Sequence, residues 1–402
     1  MIPFSPPRID EKTVKEVTEA LLSGWITTGP KTQLFENKLA EYIGVKHVVC
    51  LNSATAGLNL ILNWLDIKEG DEVIIPAYTY CATANVVVQT GAKPIMVDVN
   101  ASDFNININA IEKAISPKTK AIIAVDIAGY PADYDEIKKL ISKKDIINQF
   151  NPNNDNQKGI GRIALISDAA HSIGATYKNK KTGNQADMSS FSFHAVKNLT
   201  TAEGGAVAFN MNDSFDEEKL KQYFKTLSLH GQSKDALAKT KAGGWKYDVV
   251  KAGFKCNMTD IHAAIGLIEL ERYEDTLKRR SEIFKLYDEL FCNKKWAKVP
   301  LYNSESKKTS YHLYMLRINN CTESERDQII DHITKKQIAV NVHYLPLPML
   351  SFYKNMGYSM EDYPNSFKNY TCEISLPVYY DLSNEQVKEV ANAVENAVES
   401  IL

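Results

Sequence analysis

The chain has 402 residues, 44% of them hydrophobic, which is more than one ordinary core takes up, so a large domain with a smaller companion is expected. Charged residues make up 24% and the formal net charge is −2, which excludes the broad charge excess of a nucleic-acid, membrane-surface or polyanion binder. Cysteines 50, 81, 256, 292, 321 and 372 form no C-x-x-C pair and no zinc or disulfide spacing, so a reduced compartment fits best. The opening Met1-Ile-Pro-Phe-Ser-Pro-Pro7 lacks the basic and apolar stretches of a signal peptide. No apolar run nears the roughly 20 residues that span a bilayer. A soluble, cytoplasmic protein with no nucleic-acid partner and no membrane insertion is expected.

In chain order, Val45 to Leu51 is a short apolar run followed by Asn52-Ser-Ala-Thr55 and a helical stripe at Leu58, Ile61, Leu62 and Leu65. Further buried strands are expected at Glu72 to Ile75, Pro94 to Val99, Lys120 to Val125, Ile163 to Ser167, Ser189 to Phe193 and Ala206 to Asn210. Apolar runs separated by helices predict an α/β fold with a largely parallel central sheet, covered on both faces. Residues 145–161, rich in Asn, Gln, Lys and Gly, interrupt the rhythm and predict a mobile surface insertion. Gly159-Ile-Gly161 within it resembles a dinucleotide loop, but it precedes a strand where such a loop must follow one. Asp260 to Tyr287 reads as one long helix. A strand at Tyr311 to Ile318, a helix at Ser324 to Lys336, a strand at Ile338 to Tyr344 and a helix from Ser383 complete a small α+β domain. The expected division is a large domain 1–258 with an N-terminal arm 1–30, a linking helix 259–290 and a small domain 291–402.

Two short stretches carry the chemistry. Ile163-Ala-Leu-Ile-Ser-Asp168-Ala-Ala-His171 is an apolar strand ending in a carboxylate, where open α/β sheets bind ligands. Such an acid could ligate a metal, act as a base, pair with a cationic ring nitrogen or cap the next turn. Phe191 to Gly205 runs from a strand to Lys197, then through a Gly-Gly loop into another strand. That lysine is either a solvated charge or, if desolvated, a nucleophile with a depressed pKa. Joined, the two stretches match the needs of pyridoxal phosphate (PLP): an amine for its aldehyde and a carboxylate for its protonated pyridine nitrogen. Ser53-Ala54-Thr55 opens a helix and so offers a phosphate cradle, or simply an N-cap, with Ser192 as a second hydroxyl. The eight histidines show no metal-ligand spacing, so no catalytic metal is expected. Lys138-Lys139 and Lys143-Lys144 read as solvated helix faces.

The chain resembles the DegT/DnrJ/EryC1/StrS family of sugar aminotransferases nearly end to end. The resemblance rests on Ser23-Gly-Trp-Ile-Thr-Thr-Gly-Pro30, Ser53-Ala-Thr-Ala-Gly57, Gly70-Asp-Glu-Val-Ile74, Ser167-Asp-Ala-Ala-His171 and Ser192-Phe-His-Ala-Val-Lys-Asn198. It continues through Glu203-Gly-Gly205 and Gly253-Phe-Lys-Cys-Asn-Met258. The opening and the Ser192–Asn198 stretch look closest to the branch forming UDP-4-amino-4-deoxy-L-arabinose for lipid A. A branch acting on UDP-linked 4-keto-6-deoxy-hexosamines is similar.

The resemblance implies the PLP-dependent fold type I, like aspartate aminotransferase. It implies that Lys197 is the Schiff-base lysine and proton shuttle, that Asp168 holds the ring nitrogen and that His171 lies near the phenolic oxygen. Tyr80 would stack on the ring, where the pentose enzymes carry Trp. Asn257 would reach the phosphate of a partner subunit, making a homodimer with shared sites. Thr27 and Thr28 would approach the active site. His343 would lie near the sugar nucleotide, and His230 heads a polar stretch, 231–246, expected as a mobile loop over the site. The implied reaction moves an amino group from L-glutamate to a keto group, at C4, of a nucleotide-linked sugar, for lipopolysaccharide or other surface polysaccharides. Two rivals share the fold: a sugar dehydratase, some of which carry His in place of the lysine, and a non-catalytic regulator.

Overall fold

The computed structural model describes residues 1–233 and 247–402. Seven strands form the main sheet: β1 (Val48–Leu51), β2 (Glu72–Pro76), β3 (Lys93–Val97), β4 (Thr119–Val125), β5 (Ala164–Asp168), β6 (Met188–Ser192) and β7 (Gly205–Phe209). Their order is β1-β7-β6-β5-β4-β2-β3, and only β7 runs against the rest. Each strand predicted for this sheet lies within about three residues of the observed one.

Alternate residues serve opposite faces. Val73 and Ile75 join one apolar cluster with Ala121, Ile123 and Ile166, while Ile74 joins another with Ile122, Ala124 and Leu165. Both faces are therefore buried, which is why these strands read as continuous apolar runs rather than alternating ones. Helix Ala54–Trp64 packs Leu58, Ile61 and Leu62 on the first face. On the other side, helix Pro30–Ile43 sets Phe35, Leu39 and Ile43 against Val48, Cys50, Phe191 and Ala206. With six strands parallel, the carboxyl ends of β1, β2, β5 and β6 meet at one edge, and β7 begins there with Gly205.

A second, antiparallel sheet has the order β8 (Ala297–Lys298), β9 (Tyr314–Ile318), β10 (Glu373–Leu376). It packs with helices Tyr273–Phe291, Glu323–Lys335 and Asn384–Ile401 around Phe284, Ile329, Leu316, Val390 and Val394. Thr322 with Glu325, and Ser383 with Gln386, close reciprocal capping boxes on the last two helices. Ile2 also packs into this core and bridges Ile338. Among the described residues, no helix is long and apolar enough to cross a membrane.

Three expectations are corrected. The long helix from Asp260 is two, Asp260–Glu271 and Tyr273–Phe291, broken at Arg272, whose side chain bonds Glu269, Asp10 and the Arg8 carbonyl. Residues 145–161 are not a loose loop but contain helices Lys144–Gln149 and Asp155–Ile160. Their amides are used: Gln157 Nε2 and Asn154 Nδ2 donate to the Leu65 carbonyl at 2.7 and 3.1 Å, and Asn156 Nδ2 to that of Trp64 at 2.8 Å. They thus satisfy carbonyls left open at the end of helix Ala54–Trp64. Finally, Ile338 to Tyr344 forms only isolated bridges, to Ile2 and to Ser375, and its residues Asn341 to Tyr344 line the cavity described next.

Candidate active site

A cavity of about 550 Å³ opens at the shared carboxyl edge of the main sheet. Its walls include Ser53, Ala54, Thr55, Tyr80, Asp168, His171, Ser192, Lys197 and His343. Nine of the thirteen residues singled out in the sequence therefore meet in one place. The size suits a cofactor together with part of a second ligand.

Asp168 ends β5 and is buried. Its Oδ2 accepts from Thr83 Oγ1 at 2.8 Å and its Oδ1 from the Ala170 N–H at 3.3 Å. Burial raises its pKa, opposed by these hydrogen bonds and by the Lys197 charge. Lys197 follows β6 in a turn held by its own N–H to the His194 carbonyl at 2.9 Å. Burial lowers its amine to about 8, with Asp168 pulling the other way. No ion pair or hydrogen bond to another described residue engages its Nζ. It is thus the desolvated lysine, not the solvated one, of the two sequence alternatives.

His171 is buried, with Nε2 2.8 Å from Tyr344 Oη and its ring 4.4 Å from that of His312. Burial first, then the Lys197 and His343 charges, pushes its pKa well below the ordinary value, so it is neutral. His171 Nδ1 is buried without a partner among the described residues, a polar atom awaiting a ligand.

Ser53 caps helix Ala54–Trp64, its Oγ accepting from the Ala56 N–H at 3.1 Å. Gly205, opposite Leu51 and Ser192, makes room for this turn: a Cβ there would lie 2.3 Å from Ser53 C and 2.4 Å from Ala54 N. The cradle, the orphaned imidazole nitrogen, the desolvated amine and the buried acid fit PLP. Ser53, Ala54, Thr55 and Ser192 would hold its phosphate at a helix N-terminus, Asp168 its ring nitrogen and Lys197 its aldehyde.

Tyr80 lines the cavity yet is 59% exposed, and Val196 beside Lys197 is 43% exposed. The remaining four predicted residues do not line it within one chain. Asn257 Nδ2 donates to Thr28 Oγ1 at 2.6 Å and its Oδ1 accepts from Lys255 Nζ. Thr28 donates on to the Met258 carbonyl, and Thr27 is exposed, its carbonyl accepting from the Asp260 N–H. His230 is exposed, its N–H bonded to the Phe254 carbonyl at 2.7 Å. Of the expected loop 231–246, residues 234–246 lie outside the described residues.

Sequence reading missed Thr83, Tyr344, His312 and Phe4. Tyr344 lay inside a segment read as a strand, and Phe4 in an arm with no pattern. The ring of Phe4 stacks on that of His343 at 5.5 Å. His312 Nδ1 meets Asn198 Oδ1 at 2.9 Å, a contact between distant segments with no local signal.

Known proteins place the chain. The family model described as the DegT/DnrJ/EryC1/StrS aminotransferase family matches residues 7–149 and 157–395, leaving a gap inside the insertion. An uncharacterised protein of Methanocaldococcus jannaschii, MJ1066, is 42% identical over 99% of this chain and 97% of its own. The spore coat polysaccharide biosynthesis protein SpsC of Bacillus subtilis is 35% identical over the same shares. Among solved structures, Spr1654 of Streptococcus pneumoniae, named as a sugar aminotransferase, matches in its PMP form. The TM-score is 0.97 at 45% identity over 100% of both chains. Its PLP form matches at a TM-score of 0.95 and 44% identity, over 100% of this chain and 99% of that one. Helicobacter pylori PseC, an aminotransferase of pseudoaminic acid biosynthesis, matches at 0.85 and 30% over 99% of both. PLP is the cofactor of these enzymes, and the chain belongs to the DegT/DnrJ/EryC1/StrS family of sugar aminotransferases.

Proposed function

We propose that this protein is a cytoplasmic, PLP-dependent transaminase that moves an amino group from L-glutamate to the C4 keto group of a nucleotide-linked sugar destined for a surface polysaccharide. The observation that carries the reading is the convergence of Lys197, Asp168 and the Ser53 cradle on one cavity. The kinship with SpsC and PseC supports the sugar and its destination. The pentose branch suggested by the sequence gains no support from these relatives, so the choice of sugar stays general.

Bound PLP supplies an aldehyde for amine exchange and a protonated ring that takes up an electron pair. The chain's own residues do the rest. Asp168, desolvated and held by Thr83, would pair with the ring nitrogen and keep it charged. Lys197, as a free amine, would take the α-proton of L-glutamate at its Nζ and return it on the cofactor side of the donor nitrogen. His171 is neutral and, with Tyr344 on its Nε2, would offer Nδ1 to the bound ligand. In the second half the same groups run in reverse on the keto sugar, giving ping-pong kinetics.

The reading includes a homodimer. Exposed Tyr80 and Val196 at the mouth, and Asn257, Thr27, Thr28 and His230 outside their own cavity, fit a site completed by a second copy. Sedimentation equilibrium checks this, since a monomer that turns over would remove it.

The deciding experiment adds PLP, then L-glutamate, then a panel of UDP- and dTDP-linked 3-keto and 4-keto sugars. A yellow protein that glutamate bleaches and a 4-keto sugar restores is the expected result, and Lys197→Ala should do neither. A wild type that stays colourless with PLP overturns the proposal, and ammonia release without glutamate consumption replaces it with a dehydratase.

A further inference from the structure

Glu373 opens β10 and is fully buried, and no side-chain cation among the described residues bonds its carboxyl. Its Oε2 accepts from the His343 backbone N–H at 2.9 Å, and its Oε1 lies 2.5 Å from Ser375 Oγ. Ser375 Oγ is in turn 2.9 Å from His343 Nδ1. An unbroken path of hydrogen bonds therefore joins a buried carboxyl to an imidazole on the cavity wall. Phe4 covers one face of that imidazole. No described residue bonds its other nitrogen, Nε2.

We propose that Glu373 and Ser375 are positioning residues that set whether His343 Nε2 offers a proton or a lone pair to a hydroxyl of the acceptor sugar. The inference rests on the aminotransferase reading above for the identity of the acceptor, while the relay itself rests on geometry alone.

Hydrogen-bond polarity along the path has two consistent states. With Glu373 neutral, its Oε1–H donates to Ser375 Oγ, the Ser375 hydroxyl donates to Nδ1, and Nε2 must carry the ring proton. With Glu373 ionised, the Ser375 hydroxyl donates to the carboxylate, Nδ1–H donates to Ser375 Oγ, and Nε2 is bare. Passing from the first to the second moves the Oε1 proton to Ser375 and the serine proton to Nδ1, and releases one proton from Nε2 into the cavity.

The surroundings favour Glu373 as the group that titrates. Burial raises it to about 8, against Ser375, the His343 N–H and the more distant Arg326 and Arg317. Tyr78, Tyr344 and Cys372, which also face it, are all raised and stay neutral over the lower part of that range. Burial, then the Lys197 charge, lowers His343 to about 3, and its neighbours His171 and His312 are lowered too. The ring therefore changes tautomer rather than charge.

The test is nitrogen NMR of PLP-loaded protein labelled with 15N-histidine, between about pH 6 and 10. His343→Asn assigns one signal set among the eight histidines. In the wild type, the proton should shift from Nε2 to Nδ1 as pH rises, with no charged imidazole. Glu373→Gln, whose amide donates to Ser375 at every pH, should fix the proton on Nε2, and Ser375→Ala should abolish the pH response. A single unchanging tautomer in the wild type, or an intact switch in Ser375→Ala, overturns the relay. L-Glutamate is then added to the same samples. A wild type that keeps its colour overturns the aminotransferase reading, whereas bleaching with a static tautomer overturns the relay alone.

Discussion

Gly205→Ala tests whether the Ser53 turn is the phosphate cradle. Gly205 needs no unusual backbone angle, so a single methyl group probes space alone. That methyl would stand 2.3 Å from Ser53 C, 2.4 Å from Ala54 N and 2.7 Å from the Phe191 oxygen. All three are backbone atoms, so no side chain can swing aside. Ordinary contact begins near 3.4 Å, which requires the Ser53–Ala54 turn and β7 to part by about 1 Å. Overpacking of this kind costs about 1–3 kcal/mol. If the turn retreats, its N–H groups leave the phosphate, and PLP affinity falls by roughly 5- to 150-fold. If the turn holds, the same energy appears as lost stability. Absorbance titration of the PLP-free variant with PLP, alongside urea unfolding without it, separates the two. A variant that matches the wild type in both measurements would refute the reasoning, because the methyl would then have found room the structure does not contain.

Three further outcomes are expected. The rate at which PLP-free protein turns yellow on adding PLP should rise with pH and level off above about 8, because Lys197 reacts as the free amine and burial holds it there. A stopped-flow profile still climbing near the ordinary lysine value of about 10.4 would contradict its desolvation. Asp168→Asn keeps the shape of the site but cannot sustain a charged ring nitrogen, so single-turnover bleaching by L-glutamate should slow by on the order of 10²-fold or more. Gln157→Ala should cost about 1–3 kcal/mol in urea unfolding, since it removes at a buried site both the 2.7 Å bond to the Leu65 carbonyl and the 2.9 Å bond that Gln157 Oε1 accepts from the Asn153 N–H. Hydrogen exchange should quicken in helix Asp155–Ile160, and unchanged protection there would mean that the insertion does not depend on this contact.

The strands were legible because both faces of the main sheet are buried, which leaves runs such as Lys120 to Val125 almost uniformly apolar. The insertion was misread because its Asn and Gln side chains look solvent-facing in isolation. Only the fold supplies the open carbonyls of Trp64 and Leu65 that they satisfy. Arg272 broke a helix whose apolar stripe gave no sign of a stop, because the groups that hold it, at Arg8 and Asp10, lie some 260 residues away in sequence.

The site divides the same way. Lys197, Asp168 and Ser53 are local signals: each sits where a strand ends, and strand ends can be read from apolar runs. By itself the sequence thus marked out an amine, an acid and a candidate anion cradle, and the parallel sheet that carries them. Sequence left more than one reading open for each of these groups. Tertiary structure narrowed them, because only burial lowers the Lys197 amine to about 8 and leaves His171 Nδ1 without a partner among the described residues. It also set Tyr344 and His343 on the wall of the same cavity, with Thr83 behind Asp168 and Glu373 behind His343, contacts between segments far apart in the chain. Desolvation and hydrogen-bond polarity are properties of what surrounds a group, and nothing in a residue's own neighbourhood along the chain encodes them.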